Sequence, residues 1–322
     1  MDTIVSFYKF VSISDPYACQ ADFKAFIQAH CPQMKGSILL ATEGINGGLA
    51  APQAEIQIFS SYLHADPRFS DIVFKESEYD AVTYRRMLVK VRKEIVTMGV
   101  EGLDPATDTG AFLSPATFLQ WQREKRPMIV VDTRNDYEYN LGTFRGAVNP
   151  NTTAFGEFPE WVEENLQHQK DAPIVTFCTG GIRCEKATTF MKKAGFTNVY
   201  QLDGGILSYF EATQQEADNG WEGDCVVFDK RQAVDRYLQP SQKEICFVCL
   251  TELSEATTAR ADYEAGKACI ACSEKMHTVA QKRQAEGKRK QQANYLRNQQ
   301  TWAQEKAHYS AAFPPSASLA QA

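Results

Sequence analysis

Long apolar runs are missing from this chain. No stretch approaches the roughly 20 residues that a membrane-spanning helix needs. Met1 to Phe10 carry no basic start, no extended apolar segment and no small-residue cleavage site. The expectation is therefore a cytoplasmic protein without a membrane partner. A paired-histidine metal motif, a dinucleotide-binding glycine fingerprint and a P-loop are also lacking, so three common routes to cofactor or nucleotide chemistry are closed. No internal repeat is present, and nothing marks a stable protein partner. The net charge of −6 excludes a surface that clamps nucleic acid all over. What is there is ordinary for a globular protein: 322 residues, 43% hydrophobic and 23% charged, enough for two or three domains. Nine cysteines in a reducing compartment point to catalysis or metal binding rather than disulfides.

The most informative of them is Cys178, which opens the glycine-rich loop Cys178-Thr179-Gly180-Gly181-Ile182-Arg183-Cys184. The loop follows the apolar run Pro173 to Phe177 and precedes Ala187, Phe190, Met191 and Ala194 at helical spacing, with Gly195 as a stop. Strand, cysteine loop and helix in that order let backbone amides converge on one point, where the helix start adds partial positive charge. A thiolate is favoured there, so the pKa of Cys178 is expected below the ordinary value of roughly 8.5. The plainer alternative is a cysteine that fills a buried turn. Thr179, Gly180, Gly181, Ile182 and Arg183 are candidates for binding a substrate or anion. The Arg183 guanidinium beside the loop would attract phosphate or thiosulfate. Cys184 either packs in the first helical turn or resolves an oxidised Cys178.

Cys246-x-x-Cys249 and Cys269-x-x-Cys272, separated by 19 residues, have the spacing of a four-thiolate zinc site. Such a closed tetrahedron is structural rather than catalytic. Four reduced thiols or a redox pair would give the same sequence. Cys19, Cys31 and Cys225 have no partner pattern and read as small apolar residues, and His277 reads as surface. Charge is uneven: Ser273 to Ser310 holds eight basic residues against three acidic ones, a local surplus of +5. Lys288, Arg289 and Lys290, with Tyr295 and Trp302 nearby, suit phosphate contact and base stacking. A solvated helix ending in a disordered tail is the other reading, and the two are compatible.

Around the loop stand Ile129-Val130-Val131-Asp132-Thr133-Arg134, Glu138, the segment Gly142 to Asn149, and Asp203-Gly204-Gly205 after Val199 to Leu202. Residues 110 to 217 thereby resemble a rhodanese domain, in which the loop cysteine carries sulfur as a persulfide. Asp132 and Arg134 read as structural, the arginine pairing with Glu138 or a nearby carboxylate. The match extends to Phe7-Tyr8-Lys9-Phe10, Glu43-Gly44-Ile45-Asn46-Gly47, Lys93-Glu94-Ile95-Val96, and Trp221 to Asp229. With these the chain resembles, over nearly its full length, the rhodanese-containing tRNA uridine hydroxylases of bacteria. Cys178 matches that family's essential cysteine. The resemblance implies oxygen-dependent conversion of the wobble uridine to 5-hydroxyuridine, with molecular oxygen as co-substrate, an unidentified electron donor, and the tRNA anticodon loop as partner. A sulfurtransferase working through a Cys178 persulfide is the alternative. A non-enzymatic RNA-binding protein on a rhodanese scaffold is the third reading.

The expected organisation is an α/β rhodanese-like domain between two smaller parts. Residues 1–99 read as a ferredoxin-like α+β domain, with strands at Ile4 to Phe10, Gly36 to Leu40, near Ile72 to Lys75, and Leu88 to Lys93. Helices are expected at Ala18 to Ala29 and Ala54 to Leu63, and Glu43 to Gly48 is read as a glycine-rich turn that either only turns the chain or helps seat tRNA. Residues 100–114 form a linker, 115–218 the rhodanese-like domain with a mainly parallel sheet, 219–275 a Cys-rich module, and 276–322 a basic helix and disordered tail.

Overall fold

A computed structural model of the chain describes residues 2–79, 84–229, 231–243, 245–246, 252–260, 269 and 272. The chain divides into two compact units, Met1–Ile245 with Leu250–Ser254, and Cys246–Cys249 with Glu255–Ala322. Among the described residues, no helix is long and apolar enough to cross a membrane. Cys249, His277, Lys288, Arg289, Lys290, Tyr295 and Trp302 lie outside the described residues.

The first unit begins with β1 (Asp2–Phe10), α1 (Pro16–His30), β2 (Lys35–Ala41), β3 (Gly44–Ala51), α2 (Gln53–His64), β4 (Lys75–Tyr79) and β5 (Met87–Val91). Asp15 caps α1, its carboxylate accepting the amides of Tyr17 at 3.0 Å and Ala18 at 2.9 Å, and Pro16 sits where no amide is needed. Cys19, Phe23 and Ile27 then fall on one buried face of α1, as Ile56, Phe59 and Leu63 do on α2. Both stripes pack with Val5, Phe7, Ile38, Leu40 and Leu49 of the sheet in one core. The strand order is β4-β1-β3-β2-β5, antiparallel except for β2 beside β5.

The expected ferredoxin-like βαββαβ order is present, but its third strand runs through residues expected to form a turn. Gly44–Ala51 is the central strand, and only Thr42 and Glu43 turn. The glycines are there for space. Gly47 lies opposite Phe7 on β1, and a Cβ on it would come within 2.3 Å of the Phe7 ring. The strand expected near Ile72 to Lys75 starts where that range ends, at Lys75.

The second half of this unit contains β6 (Ala111–Leu113), α3 (Pro115–Arg123), β7 (Ile129–Asp132), α4 (Asp136–Leu141), β8 (Gly142–Phe144), α5 (Phe158–Asn165), β9 (Ile174–Phe177), α6 (Ile182–Lys193), β10 (Val199–Leu202) and α7 (Gly205–Ala212). The sheet is parallel, in the order β6-β10-β9-β7, and every residue of β9 is buried. Helices connect the parallel strands, as parallel pairing requires. Ala111–Leu113 lies within the expected linker, yet it forms an edge strand beside β10.

The segment after α7 also differs from expectation. β11 (Trp221–Gly223) pairs with β8, and β12 (Cys225–Val226) pairs with β13 (Ala233–Val234). Trp221, Cys225, Val227 and Val234 share a core with Phe144, Phe177 and Tyr209. The described residues of 219–245 therefore belong with the rhodanese-like layer rather than with the cysteine module, because their apolar side chains are buried there.

Candidate active site

Cys178 follows the last residue of β9, at the carboxyl end of an inner parallel strand, where open α/β sheets bind ligands. Its side chain is buried, and the Gly181 amide donates to the sulfur at 3.1 Å. Burial alone would oppose the thiolate. Hydrogen bonding by Cys184, the charge of Arg183, and the Cys184 and Gly181 amides outweigh it, holding the Cys178 thiol well below the ordinary cysteine range. Cys184 moves the opposite way: burial and the neighbouring Cys178 charge keep it protonated. It sits inside the first turn of α6, with its sulfur 3.5 Å from the Thr133 hydroxyl. Thiolate absorbance, taken as wild type minus Cys178→Ala, is thus expected to titrate below the roughly 8.5 of an ordinary thiol. An inflection at or above that value would contradict this electrostatic account.

The loop carbonyls are pulled away from the sulfur. Cys178 O accepts the Ile206 amide at 2.9 Å and Thr179 O accepts the Leu207 amide at 3.1 Å, both from the first turn of α7. Gly205 permits this contact: at φ +67, a Cβ there would sit 2.5 Å from Cys178 O. Two helix starts therefore frame the loop, one directing amides at the sulfur and the other fixing the carbonyls behind it.

Arg183 forms an ion pair that the sequence did not assign to it. It is 7% exposed, and its Nη1 and Nη2 donate to the two carboxylate oxygens of Glu138 at 2.6 and 2.7 Å. The bidentate pair engages both terminal nitrogens of the guanidinium with Glu138. Arg134 pairs with Asp132, not Glu138, at 2.6 Å, with both side chains fully buried. Its Nη2 also donates to Gly142 O at 2.6 Å, which ties the end of β7 to the start of β8.

A cleft of about 1200 Å³ opens over Cys178, and the N-terminal sheet forms part of its wall. Tyr8 of β1, Lys75 of β4, Glu185 of α6, Phe112 of β6 and Phe228 line it with Thr179, Gly180, Ile182 and Arg183. Burial pushes Glu185 up to about 7; the Tyr8 hydrogen bond opposes this and the nearby Cys178 charge adds to it. Burial likewise pushes Lys75 down to about 8, against the pull of Cys178, Asp203 and Glu211. Tyr8, Lys75 and Phe112 were not legible as site residues in the sequence, since each comes from an element remote from the loop.

Two segments singled out in the sequence meet beside this cleft. Lys186, buried on α6, pairs with Glu43 at 2.8 Å and Glu94 at 2.5 Å, and donates to Val96 O at 2.9 Å. Glu43 accepts the Ile95 amide at 2.7 Å, and Asn46 donates to Ile95 O at 3.0 Å. Glu43 thus braces the ferredoxin-like sheet against α6, and with Asn46 it holds the Ile95 segment in place.

In the second unit, Cys246, Cys269 and Cys272 bring their sulfurs within 4.8 Å of one another, a cluster that can hold a metal ion. Cys249 falls outside the described residues.

Comparison with known proteins matches residues 3–95 to the UPF0176 acylphosphatase-like domain and residues 114–212 to the rhodanese-like domain. A protein of Acaryochloris marina named tRNA uridine(34) hydroxylase is 41% identical over 297 residues, covering 92% of this chain and 94% of its own. The chain belongs to the tRNA uridine(34) hydroxylase family. A second tRNA uridine(34) hydroxylase, from Legionella pneumophila strain Paris, is 47% identical over 235 residues, or 73% of this chain and 91% of that one. A crystal structure of an Anabaena sp. protein is 19% identical, with a TM-score of 0.29, and covers 34% of this chain and 91% of that one.

Proposed function

We propose that the chain hydroxylates the wobble uridine of tRNA at C5, giving 5-hydroxyuridine, with Cys178 as the nucleophile. The observation that carries this reading is a stabilised thiolate at the floor of a cleft with aromatic walls, in a chain of this family. Phe228 and Phe112 line the cleft at 63% and 54% exposure, which leaves their rings open to unstacked bases. An anticodon loop presents such a base at modest cost, because it is single-stranded. Addition of the Cys178 thiolate to C6 of the uracil opens the C5–C6 double bond and makes C5 nucleophilic. C5 then forms a bond to oxygen, loses its proton, and the ring expels the thiolate. The net change is a two-electron oxidation of C5. With molecular oxygen as co-substrate, the second oxygen atom leaves as water, taking two electrons and two protons from a donor outside this chain. The substrate places the reaction in the cytoplasm. Lys288, Arg289 and Lys290 supply cations for tRNA phosphates. The test is to express the chain in cells whose tRNA lacks 5-hydroxyuridine and analyse the tRNA by mass spectrometry. Hydroxylated uridine at position 34 is the expected gain. A thiolated nucleoside in its place would overturn this reading in favour of sulfur transfer.

Cys246, Cys249, Cys269 and Cys272 are proposed to hold one structural zinc ion. A tetrahedral ion with Zn–S bonds of about 2.3 Å sets its sulfurs roughly 4 Å apart, and the three described sulfurs are compatible with that spacing. Protein purified without chelator should carry about one zinc per chain, and Cys246→Ser should lose it and melt earlier. Metal well below stoichiometry, with melting unchanged by chelation, would contradict the assignment.

A further inference from the structure

The four carbonyls of residues 178–181 are all hydrogen-bonded, and three of them find their partners within the rhodanese-like half. Cys178 O and Thr179 O are held by α7, and Gly181 O accepts the Cys184 amide at 3.0 Å. Gly180 O depends on the other half of the unit. Lys75, at the start of β4, donates its Nζ to Gly180 O at 2.8 Å and also to Gly204 O, just before α7. One ammonium thus joins the cysteine loop to the turn that leads into the helix supporting it.

We infer that Lys75 is a positioning residue, by which the N-terminal domain holds the Cys178 loop with its amides turned onto the sulfur. The loop has reason to need this. Gly180 and Gly181 have no side chains to anchor them, and a Cβ on Gly180 would meet nothing within 4 Å. With its carbonyl unheld, the 180–181 peptide is free to rotate, and the Gly181 amide would lose its aim at Cys178. Lys75 also adds a positive charge near the sulfur, in a site dry enough to lower its own pKa. The other charged or titratable groups around Cys178 are Arg183, Cys184 and Glu185 on α6 and Tyr8 on β1, with Asp203 and Glu211 beside Lys75. Lys75 alone among these bridges loop carbonyls. Separating the two halves would therefore disarm the thiol.

The inference rests on Cys178 acting as a thiolate and is independent of the substrate. Its test reads the sulfur directly in the full-length protein: thiolate absorbance against pH, and the alkylation rate of the Cys178 peptide by mass spectrometry. Lys75→Met should raise the Cys178 inflection by about one unit and slow alkylation about tenfold at pH values below the wild-type inflection. Lys75→Arg, which keeps charge and donors, should restore most of both. If Lys75→Met does not fold, Lys75→Ala, which also removes the donor, should still raise the inflection. A folded Lys75→Met or Lys75→Ala protein with the wild-type inflection and rate would overturn the proposal. So would loss of hydroxylation in Lys75→Met with an unchanged thiolate, which would make Lys75 a substrate contact.

Discussion

Cys178→Ala is expected to abolish hydroxylation, a loss on the order of 10³-fold or more, the scale seen when a covalent nucleophile is removed. The fold should survive. The substitution deletes one buried sulfur and with it a desolvated anion, so the stability change should stay within about 1 kcal/mol. Binding of tRNA should also persist, because the aromatic walls and the basic segment are untouched. The combination discriminates between roles: a cysteine that merely fills a turn would affect melting more than catalysis. Circular dichroism, tRNA binding and tRNA mass spectrometry on one preparation check all three expectations. Residual activity within tenfold of wild type would remove Cys178 from the chemistry.

Glu138→Gln should produce the largest loss of stability, about 3–5 kcal/mol, because it leaves the buried Arg183 guanidinium without its counter-ion. Removing both partners, as in Glu138→Gln with Arg183→Met, should recover much of the loss. The pH dependence follows with a definite sign. Burial pushes the Glu138 carboxyl up, but the charges of Arg183 and Arg134 and the Asn135 amide bring it below its ordinary value. Its contribution is therefore fully present above the unfolded pKa of about 4.3 and is lost as pH falls through the lower folded value. Wild-type protein should lose this component only in acid, and Glu138→Gln should lack it at every pH. Urea unfolding across that range checks both points. A penalty below about 1 kcal/mol at neutral pH would mean that Arg183 finds another partner.

The cysteine loop was legible in the sequence because it is local. An apolar run, a cysteine, two glycines and a helical stripe fix β9, the loop and α6 without reference to the rest of the chain. The parts that were not legible depend on distant partners. Glu43 to Gly48 reads as a turn because glycine disfavours strands, and the reason for Gly47 is a phenylalanine on β1. Ala111–Leu113 is three residues long in a stretch of turn formers, so only its pairing with β10 reveals it. Glu43 and Glu94 stood out as motif residues, but their purpose depends on Lys186 from the other half of the unit. Lys75 left one trace in the sequence: a lysine directly after the apolar run Ile72-Val73-Phe74.

The most direct measurement is mass spectrometry of uridine 34 in tRNA from cells lacking 5-hydroxyuridine, expressing either the wild-type chain or Cys178→Ser under ¹⁸O₂. The account predicts 5-hydroxyuridine carrying the heavy oxygen with wild type and none with Cys178→Ser. Labelled 5-hydroxyuridine at wild-type levels in the Cys178→Ser cells would contradict it.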